Sequence, residues 1–473
     1  HRSPPAGRDP AGKGRGSPAL NPVTLLPMGK AASVRPGRAL GAGSEIPLIL
    51  WRPFRPVGGQ SDCRFVCAGL PVAQAGIPHW QQHLVRGLEA LPPERLRRLR
   101  SYQPLGASQL QAQPTDGEGE RTPLLDLASN DYLGLSGHPE LVAAAEAALH
   151  TDGVGAGASR LVSGSRPVHQ ALEAALAAWL GRERVLLFPS GFQANIAAVS
   201  ALADRHSLVL ADRLIHHSLL VAIRASGAQL QRFTHNDLGD LAQRLGAARH
   251  ANPQQRLLVI SESLFSMEGT SPKVPELGEL CRRHGAALLL DEAHALGVLG
   301  PGGRGLGHGH DSIAMVSGTF GKAFGSGGAF LAGNGLVGEW LLQSSGAFRY
   351  TTALAPPLAA GALAGLAQMQ ANPTTSTALL ARAKRWRDGL EAAGWPRPPG
   401  TGPILPLVVG SDRATLTLQQ DLEAAGLLTV AIRPPTVPEG TARLRLVLRH
   451  DLPEGTLERL IQALGAPPER PCN

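Results

Sequence analysis

Aromatic residues make up only 4% of this 473-residue chain, so its cores must be built from Ala, Leu, Val and Ile rather than from stacked rings. Cysteine is scarce too. Cys63, Cys67, Cys281 and Cys472 show no spacing that frames a disulfide core or a metal site, and a reduced, cytoplasmic setting is the expectation. No apolar run reaches the roughly 18 residues that a membrane-spanning helix needs. Acids are nearly missing from residues 1–60, where Asp9 and Glu45 face nine Lys and Arg. Nine minus two is +7 of the net +8, so the remaining chain is close to neutral. A near-neutral remainder offers no basic stripe for nucleic acid.

What is present is an ordinary globular balance, 43% hydrophobic and 17% charged, in a chain long enough for two folded domains or more. Residues 1–75 are rich in Pro, Gly, Arg and Ser without periodicity, which predicts a disordered basic extension. A targeting peptide is the alternative, but so much Pro and Gly suits an amphipathic helix badly. Helical spacing in "HWQQHLVRGLEALPPERLRRLR" predicts an N-terminal helical segment over 76–128. From 129 to 355 a large domain is expected. There, apolar runs such as "RVLLFPS", "SLVLADR", "RLLVISESLFS", "AALLLDEAH" and "SIAMVSGTF" alternate with helical patterns. Wholly apolar strands separated by helices indicate an α/β fold with a mostly parallel sheet covered on both faces. A smaller mixed domain, 356–473, follows the helical run "LAPPLAAGALAGLAQM".

In such sheets ligands bind beyond the carboxyl ends of the strands. Asp291 follows "AALLL", where it is either a helix N-cap or a part-buried carboxylate in need of a partner. Lys322, in "SGTFGKAFGSGGAF", is either a solvated loop lysine or an amine whose desolvation makes it a nucleophile toward carbonyls. His216 and His217 follow "SLVLADRL"; one of them could lie flat on a ring. Ser190-Gly191 opens a helix, and the free amides of Gly191 and Phe192 suit an anion. Ser266 ends a further strand. The glycine-dense "GVGAGASRLVSGSRPVH" follows no strand and reads as a mobile loop lining a cleft. Together an amine, a carboxylate, an imidazole and an anion-binding helix start match the needs of pyridoxal 5′-phosphate (PLP).

The segments "SNDYLGL", "SGFQAN", "ADRLIHHSLL", "FSMEG", "DEAH", "TFGKAFG" and "AIRPPTVPEGTARLRLVL" resemble the α-oxoamine synthases, PLP enzymes of the aspartate-aminotransferase fold. The likeness runs from about residue 78 to the end. It implies that Lys322 bonds the cofactor aldehyde, Asp291 pairs with the pyridine nitrogen, His216 stacks on the ring, and His294 binds its phenolic oxygen. Gly191 and Phe192 would contact the cofactor through amides, and Ser266 and Thr319 through side chains. Arg433 would hold the amino-acid carboxylate, with Thr436 and Asn130 beside the substrate. Arg97 would meet the acyl group, with Arg98 or Arg100 as alternatives. Thr351 and Thr352 would reach the phosphate of a neighbouring subunit, so a homodimer is implied. The implied reaction condenses L-alanine with a pimeloyl thioester, on CoA or a carrier protein, with loss of carbon dioxide, for biotin synthesis. Lys322 or His216 would take the α-proton. Another α-oxoamine synthase, an aminotransferase and a binding protein on a decayed fold are the rivals in descending order.

Overall fold

A computed structural model describes residues 78–113 and 122–467. The expected disordered extension lies outside these residues, as do Cys63, Cys67 and Cys472. Helix His79–Glu89 and the single turn Pro93–Arg95 are separated by the Pro92-Pro93 break. There the helical segment expected over 76–128 ends. Residues 96–101 are not helical, and Leu99 is fully exposed, so nothing packs on the face that helical spacing would have made. Three strands follow: β1 (Tyr102–Gly106), β2 (Gln109–Ala112) and β3 (Pro123–Asp126). Ala107 and Ser108, at φ 43° and 58°, close the first hairpin, a backbone more often signalled by Asn-Gly.

Next come β4 (Arg184–Phe188), β5 (Ser207–Asp212), β6 (Gln229–Phe233), β7 (Arg256–Glu262), β8 (Ala287–Asp291), β9 (Met315–Thr319) and β10 (Ala329–Gly333). They form one sheet in the order β4-β10-β9-β8-β7-β5-β6, with only β10 antiparallel to its neighbours. Alternate residues of each strand serve opposite faces. Leu187, Leu210, Val259, Leu290 and Val316 join one core. Leu186, Val209, Ile260, Leu289 and Met315 join the other, beneath helices Gly191–Leu202 and His217–Ser226. This double burial is why the strands read as continuous apolar runs. The chain runs outward through β5 and β6 and then returns through β7, β8 and β9. That reversal marks the carboxyl edge near β5, β7 and β8 as the place for a ligand.

After helices Pro356–Ala371 and Thr374–Ala392 come β11 (Ile404–Gly410), β12 (Leu427–Leu428), β13 (Val430–Ile432) and β14 (Ala442–Val447). β11, β14 and β13 make a small antiparallel sheet, whereas β12 pairs in parallel with β3. Cys281 is buried on helix Val274–Arg283, and burial pushes its thiol up to about 12, which keeps it unreactive.

Candidate active site

Glu262, Asp291 and Ser317 are register partners on β7, β8 and β9. In-register residues of parallel strands point to the same side, so these three form a polar row at the carboxyl edge. All three are buried. Asp291 Oδ1 accepts the Ala293 N–H at 2.9 Å, so the cap-like reading holds for one oxygen. Its Oδ2 accepts Asn195 Nδ2–H at 2.9 Å. Burial, then the Asp291 charge, raise the Glu262 carboxyl well above the usual range, which favours its protonated form.

The loop after β9 is packed rather than solvated. Phe320 and Phe324 within it are fully buried. Gly325, at φ +67°, would place a Cβ 2.5 Å from the backbone carbon of Leu135, so no other residue fits that bend. This is what the glycines around Lys322 are for. They let the loop close so tightly that the amine is turned inward, 2.8 Å from His294 Nε2. Burial lowers the Lys322 pKa to about 8, with Asp291 and Glu262 pulling the other way. A lowered value means that the neutral, nucleophilic amine appears as pH rises through about 8 rather than through the ordinary lysine range. Uptake of PLP by the cofactor-free protein, followed by absorbance, is therefore expected to quicken up to about pH 8.5 and then level off. A rate still climbing steeply past pH 9.5 would mean an ordinary exposed lysine.

His294 Nδ1 lies 2.6 Å from the hydroxyl of fully buried Tyr132. Burial and then the Lys322 charge hold His294 well below the usual imidazole range, so it is neutral. The Asn130 Oδ1 accepts from Arg445 at 2.8 Å and from the Tyr132 hydroxyl at 3.4 Å. Lys322, His294, Tyr132, Asn130 and Arg445 thus form one chain of contacts.

Of the two adjacent histidines, His216 is the one at the site. It caps helix His217–Ser226, its Nδ1 accepting the Ser218 N–H at 3.3 Å and lying 2.7 Å from the Ser218 hydroxyl. Its backbone N–H donates to Glu262 Oε1. Partial burial lowers its pKa, Asp291 raises it, and Lys322 lowers it further.

Gly191 begins helix Gly191–Leu202, and the N–H groups of Gly191 and Phe192 have no acceptor inside the helix. A Cβ on Gly191 would lie 3.8 Å from the Thr319 Cβ, so the helix start faces the end of β9. Thr319 Oγ1 donates to the Gly328 carbonyl at 3.0 Å. Ser266 is buried in the loop after β7, with no hydrogen-bond partner for its hydroxyl among the described residues. Thr351 and Thr352 follow the short helix Gly346–Arg349; no hydrogen bond joins them to the Lys322 cluster among the described residues.

Arg433 follows β13 and donates to the Glu94 carbonyl, and its Nε is buried without a partner. The Thr436 N–H donates to the Arg433 carbonyl at 3.1 Å. Burial and then the Arg97 charge lower the Arg433 pKa. Arg100 is instead paired with Glu423 and lies 5.3 Å over the Tyr102 ring. No hydrogen bond ties Arg433 or Arg97 to Lys322 among the described residues.

Sequence reasoning passed over Tyr132, Asn195, Ser218, Glu262 and Arg445. The signal for Tyr132 lay inside "SNDYLGL", since a buried tyrosine needs a partner for its hydroxyl. The assembled groups suit PLP: a lysine of reduced proton affinity, a buried carboxylate that can hold a pyridinium, an imidazole at the cleft surface, and a helix start with two free amides.

The profile of the aminotransferase class I and II family matches residues 122–464. The 8-amino-7-oxononanoate synthase of Anaeromyxobacter dehalogenans is 42% identical over 382 residues, 80% of this chain and 94% of that one. A solved structure of SPT (serine palmitoyltransferase) with PLP superposes with a TM-score of 0.73 at 26% identity, covering 81% of this chain and 94% of that one. The 8-amino-7-oxononanoate synthase of Francisella tularensis gives a TM-score of 0.61 at 26% identity, covering 72% and 96%.

Proposed function

This chain belongs to the aminotransferase class I and II family, and from that premise we propose that it condenses L-alanine with a pimeloyl thioester to give 8-amino-7-oxononanoate for biotin synthesis. A bond forms between the alanine Cα and the thioester carbonyl carbon, the C–S bond breaks, and the alanine carboxylate leaves as carbon dioxide. The observation that carries the reading is the convergence of Lys322, His294, Asp291 and His216 at one sheet edge, in a chain 42% identical to an 8-amino-7-oxononanoate synthase.

PLP, when bound, supplies the electron sink for charge developing at the alanine Cα. Lys322 supplies the amine for its aldehyde, and Asp291 keeps its ring nitrogen protonated. Gly191, Phe192, Ser266 and Thr319 hold the rest of it, with His294 toward the phenolic oxygen. Arg433 binds the alanine carboxylate, Thr436 and Asn130 border the substrate, and Arg97 takes the acyl carboxylate as a charge-assisted pair. Lys322 or His216 takes the α-proton. Positioned groups of this kind lower the barrier by fixing orientation before the reaction begins.

The proposal includes a homodimer in which Thr351 and Thr352 reach the phosphate site of the neighbouring subunit, and a cytoplasmic location. Residues 129–355 are assigned as the large cofactor-binding part and 356–473 as the smaller part. No helix among the described residues is long and apolar enough to cross a membrane.

A donor panel tests the function. L-alanine with pimeloyl-CoA or a pimeloyl carrier protein should release carbon dioxide. Release from glycine with succinyl-CoA, and none with either pimeloyl donor, would assign a different oxoamine product.

A further inference from the structure

The polar row at the carboxyl edge does more than place Asp291; its hydrogen bonds have a direction. Asn195 is 3% exposed and spends its amide entirely inside the protein. Its Nδ2 lies 2.9 Å from Asp291 Oδ2 and 3.0 Å from Ser218 Oγ, and its Oδ1 lies 2.7 Å from Ser317 Oγ. The opposite orientation of the amide would set Oδ1 against a carboxylate that only accepts. Asp291 therefore fixes which end of Asn195 is the donor. Ser218 Oγ then accepts from Asn195, and its single hydrogen is left to point at His216 Nδ1, 2.7 Å away. The Ser218 N–H approaches the same nitrogen at 3.3 Å. With two donors aimed at it, Nδ1 keeps its lone pair, and the one proton of a neutral ring sits on Nε2.

We propose that Asn195 and Ser218 are positioning residues that carry the polarity of Asp291 to His216 and hold it as the Nε2–H tautomer. His216 then presents a hydrogen-bond donor to whatever lies over the cleft. It is not a proton acceptor there, and Lys322 is left as the only base for the α-proton. That last consequence rests on the synthase reading; the tautomer itself does not. The charged and titratable groups acting on His216 are Asp291, Lys322, His217 and, through the backbone N–H, Glu262. Glu262 holds the main chain of His216 in place and leaves the ring nitrogens to the relay.

The test is nitrogen NMR of the holoenzyme labelled with 15N-histidine, with the His216 signals identified by their loss in His216→Asn. In the unaltered protein at pH 7.5, Nδ1 should resonate as a bare nitrogen and Nε2 as a protonated one. Asn195→Asp keeps the shape, but the new carboxyl, at the 2.9 Å spacing from Asp291, takes up one proton and spends it on Asp291, which leaves Ser218 facing only an acceptor oxygen. The Ser218 hydrogen should then turn to that oxygen, and the proton of His216 should shift to Nδ1. Ser218→Ala, a milder change, should leave a mixture of both tautomers. Ser317→Ala should change nothing, because Asp291 still orients the amide. A His216 proton already on Nδ1 in the unaltered protein would overturn the proposal. So would identical His216 spectra in Asn195→Asp and Ser218→Ala when thermal melting shows both to be folded. The spectra need no turnover, so a failed relay and a failed donor panel are told apart.

Discussion

Lys322→Ala is expected to lower turnover by about 10³-fold or more, the size of loss that follows when both a nucleophile and a positioned base are removed. The neighbours of the amine explain why nothing else can replace it. His294, 2.8 Å away, is held neutral by burial and by Lys322 itself, and its other nitrogen is engaged by Tyr132. Those groups can tune an amine but cannot bond an aldehyde. Borohydride reduction of the PLP-loaded protein should add the cofactor mass to the peptide that contains Lys322. The alanine variant should still take up PLP through the helix start at Gly191 and release it on denaturation. Equal turnover in the two proteins, or covalent cofactor on a different lysine, would remove Lys322 from the reaction.

Asp291→Asn should cost about 10²- to 10³-fold in turnover, the range found when one preorganised electrostatic group is taken from a site of developing charge. The substitution keeps the shape and the Ala293 and Asn195 contacts on one side, but it withdraws the negative charge that, in the proposed reaction, would keep a pyridine nitrogen protonated. Weak turnover with near-normal melting is the expected pattern. Glu262 is the available control because it lies on the adjacent strand in register with Asp291, where burial and the Asp291 charge disfavour its ionised form. Glu262→Gln should change turnover less than tenfold. If the two variants lose activity alike, charge on Asp291 is not what the site uses.

Much of this was legible from the linear order of residues, and the reason is local. Asp291 ends an apolar run, and Lys322, His216 and Gly191 come within a few residues of one, so the strands that end there deliver them to one rim. Glu262 also ends such a run, yet it reads as one more strand residue until the sheet order is known. Positions 262, 291 and 317 meet only because β7, β8 and β9 are neighbours. No spacing reports that adjacency. Asn195 sits one turn inside a mostly apolar helix, where it reads as filler until Asp291 is placed beneath it. The hairpin of β1 and β2 was missed for a different reason. Its turn uses Ala107 and Ser108 in left-handed backbone, and neither residue signals such a bend.

The stretch around residues 94–100 is bolted to the last third of the chain. Arg95 grips Asp412 and Glu439, Arg100 grips Glu423, and Arg433 reaches back to the Glu94 carbonyl. Farther along, β12 lies against β3. Arg97 and Arg433 are consequently mounted on a single plate, although more than three hundred positions separate them. In the synthase reading, the acyl carboxylate assigned to Arg97 would be met by a stretch whose place is set by Asp412, Glu423 and Glu439, so a change at any of those three acids would be felt at residue 97.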